Sequence, residues 1–366
     1  MTRIEVTGDR AGLDGALEAL PNVPAVFVVY TEGREPYLAR TGLLRRRLLR
    51  LLGERAGPTR LLNLRGLVTA IDYALVGSSL ESSLLFYELA REYFPGTYLE
   101  YIRLRFPAYV KLVLSNEFPR AHVTTRLGGG RALYFGPFRT RAGAEEFLNG
   151  TLDLFQVRRC QEDLVPSPEH PGCIYGEMNM CLRPCQQVVG VEEYSSEVMR
   201  LSEFLGTSGE SLLHAAAAAR DRMSAEMEFE EAARQHARYE KILAVLKKRD
   251  ELAADVDDLN GVAITRSVDA EAVELRFMRA GVWAAAERFR VAAAAEEMVP
   301  LDRRLRDVAE RVEAPARKDR AEHMALLARW YYSSWRDGEW LPFESVEKLP
   351  YRKLVKAISR VAARGG

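Results

Sequence analysis

"PAVFVVYTEGREPYLARTGLLRRRLLRLLGER", residues 24–55, passes from strand to strand to helix within a few turns of chain. PAVFVVY (24–30) is a continuous apolar run and PYLA (36–39) a shorter one, and the polar turn TEGRE between them predicts two short strands. LLRRRLLRLLGER places leucines at helical spacing and packs Arg45, Arg46, Arg47 and Arg50 together, which predicts a strongly basic amphipathic helix. Working outward, IDYALVG (71–77) reads as a further strand and residues 79–94 as a second helix. Together these predict a small α/β unit over the first hundred or so residues.

At 366 residues the chain exceeds one ordinary core, and two to four domains are expected. Apolar residues make up 48% and charged residues 28%, a globular mixture without a disordered signature. Formal net charge is zero, so any nucleic-acid surface must be a local patch. The start, MTRIEVTGDR, lacks the apolar core of a signal peptide, and no apolar run approaches the roughly 18 residues that span a bilayer. The expectation is a cytoplasmic protein with no membrane partner. Thiols are kept reduced in that compartment, so clustered cysteines suggest a metal more than disulfides.

All four cysteines, Cys160, Cys173, Cys181 and Cys185, fall within 26 positions, with gaps of 12, 7 and 3 residues. Four thiolates ligate either a tetrahedral zinc or an iron–sulfur cluster, and spacing alone does not choose. The bland alternative is four buried, unliganded cysteines.

Between 103 and 141 the charge tilts: Arg103, Arg105, Lys111, Arg120, Arg126, Arg131, Arg139 and Arg141 face one acidic residue, Glu117. Phe106, Tyr109, Tyr134, Phe135 and Phe138 are interleaved, a pattern that suits phosphate contacts and base stacking, or equally a solvated sheet face with its aromatics inward. AHVTTRL, GGG and RALYF read as a β-hairpin with a glycine turn. Residues 191–252 read as helical throughout, with a helix at about 209–226 that folds back as a hairpin on MEFEEAARQHARYEKILAVLKKRD. The last third opens with the strands GVAITRS, AVELRFMR and VWAAAERFRV. A polar stretch (300–320), the aromatic run HMALLARWYYSSWRDGEWLPF and a basic helix, YRKLVKAISRVAAR, then follow. The tryptophans there are expected to be core or docking residues.

YFGPF, the four-cysteine array with RPC, and MEFEEAARQHARYEKI occur in that order, and together they resemble the UvrC family of bacterial nucleotide excision repair and its shorter relatives. The resemblance covers about residues 20–300. It implies a multidomain α/β plus α fold: a GIY-YIG-like nuclease domain (15–105), a basic hairpin segment (106–150), a Cys-rich metal-binding segment (151–190), a helical UVR module (191–253) and a C-terminal α+β region (257–366). It implies that Cys160, Cys173, Cys181 and Cys185 hold a four-iron four-sulfur cluster, with zinc as the alternative. It also implies that the helix pair docks on UvrB through Phe229, Ala232, Ala233 and Tyr239. Damaged or distorted DNA would be gripped by Arg45, Arg46, Arg50, Arg120, Arg126, Arg131, Arg139 and Arg141, giving a cytoplasmic, nucleoid-associated protein.

Against the nuclease signature the chain departs. Ala25-Val26-Phe27 stands for the first motif and Tyr37-Leu38-Ala39 for the second, Arg47 falls at the catalytic arginine, and Phe86 falls at the metal-binding glutamate. A phenyl ring cannot coordinate Mg²⁺ or Mn²⁺. Tyr37 and Arg47 are therefore expected to be remnants of a disarmed nuclease; the rival is an active endonuclease that recruits Glu81 or Glu88 for its metal. The RNase H-like and helix-hairpin-helix regions of full-length UvrC are expected to be missing. A third reading is a protein-interaction adaptor without DNA binding.

Overall fold

The computed structural model describes residues 1–6, 11–54, 62–291, 300–311 and 317–363. The first unit comprises β1 (Thr2–Glu5), α1 (Ala11–Glu18), β2 (Ala25–Thr31), β3 (Tyr37–Thr41), α2 (Leu44–Leu52), β4 (Val68–Leu75), α3 (Ser79–Tyr93) and α4 (Tyr98–Ile102). Its sheet is antiparallel, in the order β1-β4-β2-β3. The run PAVFVVY is apolar without alternation because both faces of β2 are covered. Ala25, Phe27 and Val29 pack with Leu13 and Leu17 of α1 and with Leu44, Leu48, Leu51 and Leu52 of α2. Val26 and Val28 pack with Leu80 and Leu84 of α3.

The second unit contains β5 (Ala108–Val113), β6 (Arg120–Thr124), β7 (Ala132–Phe138), α5 (Arg141–Leu152), α6 (Ile174–Glu177), α7 (Val191–Gly206), α8 (Glu210–Ala225), α9 (Phe229–Leu246) and β8 (Ala254–Asp255). The expected glycine-turn hairpin is corrected here. The order is β6-β5-β7-β8, so β5 lies between the two runs that were to pair. Both β6 and β7 are antiparallel to β5, hence parallel to each other, and cannot form a hairpin. The segment 125–131 instead crosses from one edge of β5 to the other, since Thr124 lies opposite Tyr109 and Ala132 opposite Val113. YFGPF lies in β7, where Phe135 and Phe138 pack against Phe147 of α5. A Cβ on Gly136 would stand 2.7 Å from the Tyr109 ring, so only glycine lets the two strands approach there. One core joins β5, β6 and β7 to α5, α7 and the lower half of the α8–α9 pair, running from Ala108 to Ala253. The segments 106–150, 151–190 and 191–253 thus contribute to a common interior.

The third unit contains β9 (Gly261–Arg266), β10 (Ala272–Arg279), β11 (Val282–Arg290), α10 (Leu301–Arg311), α11 (Arg320–Tyr331), β12 (Gly338–Pro342) and α12 (Tyr351–Ala363). The meander β9–β10–β11 gains β12 beside β9. Part of the polar stretch at 300–320 lies outside the described residues; the rest forms α10 and the approach to α11. One face of this sheet is covered by α10 and α12. The other shares a core with α3 and α11, through Ala263, Met278, Met324 and Leu327.

Helix α3 is thus enclosed between the first and third units. Ser78 caps it by accepting from Glu81 N–H at 3.1 Å, and Glu81 reaches back to accept from Gly77 N–H at 2.7 Å, a reciprocal capping pair. Asp337, far along the chain, accepts from the Ser79 N–H and from its hydroxyl (2.7 Å). Gly77 lies directly on β9, and a Cβ there would stand 2.4 Å from the Ser267 carbonyl carbon. Gly77→Ala is therefore expected to lower stability by about 1–3 kcal/mol, read as an earlier urea midpoint. An unchanged midpoint would mean that the first and third units do not meet there.

Candidate functional site

The register of β2 and β3 places Phe27 opposite Ala39, and Tyr37 rises beside Phe27 with ring centroids 6.2 Å apart. Arg47, one turn into α2, donates from Nη2 to the Tyr37 hydroxyl at 2.8 Å. The structure thus brings the two expected remnants together. Tyr101 of α4 closes the same side, donating to the Leu38 carbonyl at 2.6 Å. Arg45, Arg46 and Arg50 lie on the exposed face of α2, opposite its buried leucines.

Phe86 turns toward this side of α3. Its ring packs with Tyr101 at 5.9 Å, and the Arg40 guanidinium sits over it at 5.6 Å. Glu81 and Glu88 are seven residues apart and share the opposite face. Both act on the buried guanidinium of Arg276 in β10. Burial raises the Glu81 pKa first, with nearby Glu274 adding to it, while the Gly77 N–H, Arg276 and Arg288 hold it back. Neither carboxylate turns toward Tyr37 and Arg47.

The basic residues of the second unit separate toward the two ends of its sheet. Arg126, Arg139 and Arg141 follow the end marked by Thr124, Phe138 and Ala108, and all three are exposed. Arg141 pairs with Glu145 at 2.8 Å, an exposed pair of small energetic weight. Arg120 and Arg131 belong to the other end, beside Val113 and Leu114. Arg131 is exposed, but Arg120 is partly covered, its Nη1 against the Glu162 carbonyl at 3.5 Å. Lys111 and His122 lie opposite each other between the ends. Burial first, then Lys111, Arg120 and Arg141, lowers the His122 pKa.

The cysteines lie on a looped segment against the β5–β6 turn. Arg158, 2% exposed, holds it there: Nε donates to the Phe118 carbonyl at 2.9 Å, and Nη1 to the Glu162 carbonyl at 2.9 Å and to Cys160 Sγ at 3.4 Å. The Arg183 N–H points at Cys181 Sγ at 3.4 Å. Cys181 and Cys185 are buried, Cys160 is half-buried and Cys173 exposed. Burial, then the other three cysteines, pushes the Cys181 thiol up to about 11. Cys185 is raised by burial and by Cys173 and Cys160. Cys160, Cys173 and Cys185 are thus near enough to Cys181 to oppose its ionisation. As placed, no group of three or more His, Cys, Asp or Glu side chains among the described residues is gathered as a metal-ligand set. The donor chemistry nonetheless suits a thiophilic cation: N–H groups aimed at sulfur favour the thiolate form, and bound positive charge would offset the repulsion among clustered thiolates.

The α8–α9 pair packs its lower half into the core through Leu212, Ala216, Ile242 and Val245. Its far end is open, with Met227 77% and Phe229 67% exposed. Of the residues expected to meet a partner, Phe229 and Ala233 are exposed, Ala232 is buried, and Tyr239 packs on the core with Arg220 over its ring at 5.7 Å. Arg40, Arg158 and Asp337 carry roles that sequence reading did not assign. Only Arg158, two residues from a cysteine, offered a local signal.

Residues 108–204, from β5 through nearly all of α7, match the family model of the UvrC/Cho excinuclease middle domain. Among curated proteins, the chain is 24% identical over 277 residues to UvrABC system protein C of Lachnospira eligens, covering 74% of this chain and 44% of that protein. It is 25% identical over 270 residues to UvrABC system protein C of Moorella thermoacetica, covering 74% and 44%. The protein of the same name from Methylococcus capsulatus is 26% identical over 268 residues, covering 72% and 43%. Residues 108–204 thus match the UvrC/Cho middle domain, and the chain is similar to UvrABC system protein C over about three quarters of its length, while it spans a little under half the length of the curated relatives it matches. No solved structure matches it. Among the described residues no helix is long and apolar enough to cross a membrane.

Glu81 offers a pH test. Its folded pKa is raised, so its contribution to stability is present below the unfolded carboxyl pKa and is lost as pH rises through the folded value. Glu81→Gln keeps an acceptor for Gly77 N–H and never ionises. The melting temperature of the variant relative to wild type is expected to climb from pH 4 toward pH 8. A difference independent of pH would refute the burial assigned to this carboxyl.

Proposed function

We propose that this chain acts in nucleotide excision repair as a UvrC-like protein that binds DNA without cutting it. The observation that carries this reading is the arrangement around α3. Tyr37 and Arg47 keep their contact, but Phe86 occupies the facing position beneath Arg40, and Glu81 and Glu88 face Arg276 on the other side. Phosphodiester cleavage in this family uses a divalent ion, and a hard ion needs oxygen ligands that an aromatic ring does not supply. DNA would lie along the outer face of α2 and the sheet end carrying Arg126, Arg139 and Arg141, with Arg131 beyond. The retained Tyr37–Arg47 contact favours a second reading, a working metal-dependent endonuclease, which the same experiment decides.

Cys160, Cys173, Cys181 and Cys185 would hold a four-iron four-sulfur cluster, with zinc as the alternative. The cluster would supply a cross-link and no turnover, tying the 160–185 loop to the β5–β6 turn that Arg158 already grips. The open end of the α8–α9 pair, with Phe229 as its anchor, would dock on UvrB.

The test is a binding and incision assay on a lesion-bearing duplex with Mg²⁺ or Mn²⁺, with and without UvrB. Wild type is expected to bind and leave the strand intact. Affinity should fall on the order of a thousandfold between about 50 and 200 mM salt if about six phosphates are neutralised. Phe86→Glu should gain weak cleavage that Arg47→Ala removes, and Phe229→Ala should lose any enhancement by UvrB. Cleavage by wild type that Arg47→Ala abolishes would establish the endonuclease instead. For the metal, anaerobic purification should yield about four irons per chain, reduced by Cys181→Ser; stoichiometric zinc without iron would overturn the cluster.

A further inference from the structure

Between the first and third units lies a cavity of about 470 Å³, open to solvent, whose walls neither unit supplies alone. Arg40 and Thr41 of β3 and the serines at the start of α3 form one side; Arg329, Trp330, Trp335 and Asp337, around the α11–β12 connection, form the other. Two arginines, each still partly open to solvent, therefore border one small space, close enough that desolvation first and Arg329 second lower the Arg40 pKa. Among the described residues neither has a carboxylate within ion-pair distance. Arg40 donates to the Ser83 hydroxyl at 2.9 Å, and Arg329 to the Ile102 carbonyl at 3.3 Å. Asp337 lines the same cavity, but its oxygens are engaged by Ser79 and by the Trp330 indole N–H at 3.0 Å. Because Asp337 covers the first turn of α3, the helix end is not the attraction for an anion here. The two guanidiniums are.

At the same rim Trp335 is 83% exposed, although the other tryptophans of this region, Trp330 and Trp340, are buried or half-buried. Like charges held together without an ion-paired carboxylate are stabilised by a bound anion, and guanidinium forks suit phosphate oxygens. An indole left in water beside them offers a flat surface on which a base stacks. The cavity is of a size that takes a small ligand of this kind.

We propose that this cavity is a nucleotide site, taking a nucleoside phosphate with Arg40 and Arg329 on the phosphate and Trp335 against the base. Such a ligand is either a free nucleotide or one nucleotide of a DNA strand. The site is distinct from the duplex surface proposed above, and failure of that reading leaves this one standing.

Calorimetric titration of the full chain separates the cases, with inorganic phosphate, deoxyadenosine monophosphate and a five-nucleotide deoxyadenosine strand as probes. Saturable binding is expected, with the nucleotide tighter than phosphate. Arg40→Gln and Arg329→Gln should each weaken both by about tenfold or more. Trp335→Ala, at an exposed position, should weaken the nucleotide and leave phosphate unchanged. Tighter binding of the strand than of the monophosphate assigns the site to DNA; equal or weaker binding assigns it to free nucleotide. Absence of saturable nucleotide binding, or binding indifferent to both arginine variants, overturns the proposal. Equal affinity for phosphate and nucleotide in wild type overturns its base-stacking half. Duplex binding measured on the same variants is expected to persist, which keeps this outcome separable from that of the repair assay.

Discussion

The structure depends on helix α3 being enclosed on two sides. Its inner face completes the core of the first sheet through Leu80 and Leu84, while its outer face meets β10 and α11 of the third unit. A helix so placed must satisfy its buried polar groups, such as the Tyr87 hydroxyl, inside protein. It does so with partners more than two hundred residues away. The Tyr87 hydroxyl donates to Glu322, which also accepts from Tyr98 at 2.7 Å; Arg91 meets Asp319 at 2.8 Å, and Asp337 covers the N-terminal turn. At the buried Tyr87 hydroxyl, losing a partner costs more than the bond itself contributes, whereas at the exposed Ser79–Asp337 contact it costs less. The first unit and the last therefore hold each other's polar residues in place.

That enclosure bears on chemistry. A helix presenting carboxylates to an open groove can recruit a metal ion; here the carboxylates face a buried arginine of another unit, and an aromatic ring under a guanidinium occupies the groove side. Moving Glu81 or Glu88 toward Tyr37 would require turning α3 by roughly half a revolution, breaking its capping pair and its contacts with α11. The aromatic ring of Phe86 and the docking of the third unit thus both keep carboxylates of α3 away from Tyr37 and Arg47. The Arg40 guanidinium stands over Phe86 while its carrier strand also borders the cavity shared with Arg329, so one residue touches both the Phe86 side of α3 and the inter-unit space.

Much of the first unit was legible in residues 24–55, because strand and helix there are dictated by local periodicity and complete burial. The leucine spacing of α2 separates Leu44, Leu48 and Leu51 from the exposed arginines, and MEFEEAARQHARYEKI gave the α9 helix. The strand order of the second sheet was not legible. Three glycines signal a reversal, but which strand receives the returning chain is decided by β5, whose apolar residues Val110 and Leu112 lie between two suitors. Local turn chemistry carries no information about that choice. The split of the basic run toward two sheet ends follows from the same register and was hidden for the same reason. Asp337 on α3, and Arg40 beside Arg329, join residues from opposite ends of the chain, and no local pattern announces them. The cysteines were legible as a group from their crowding. That an almost fully buried arginine would bind their loop to the Phe118 carbonyl was not.

The α8–α9 pair is built like a cantilever. Its root is clamped in a rigid interior by Ile242 and Val245, while its free end carries an aromatic ring and a methionine in water. Mechanical load or partner binding at the free end is carried to the root along two parallel hydrogen-bonded rods, not through loops. The arm can therefore be stiff in length yet soft in direction, bending about its clamp while the sheet beneath keeps its register. Packing constraint is also graded along it: Leu212, Ala216, Ile242 and Val245 near the root are buried, whereas Met227 and Phe229 at the free end are exposed. Substitutions confined to the exposed residues at the end of α8 and the start of α9 therefore leave the packed root untouched.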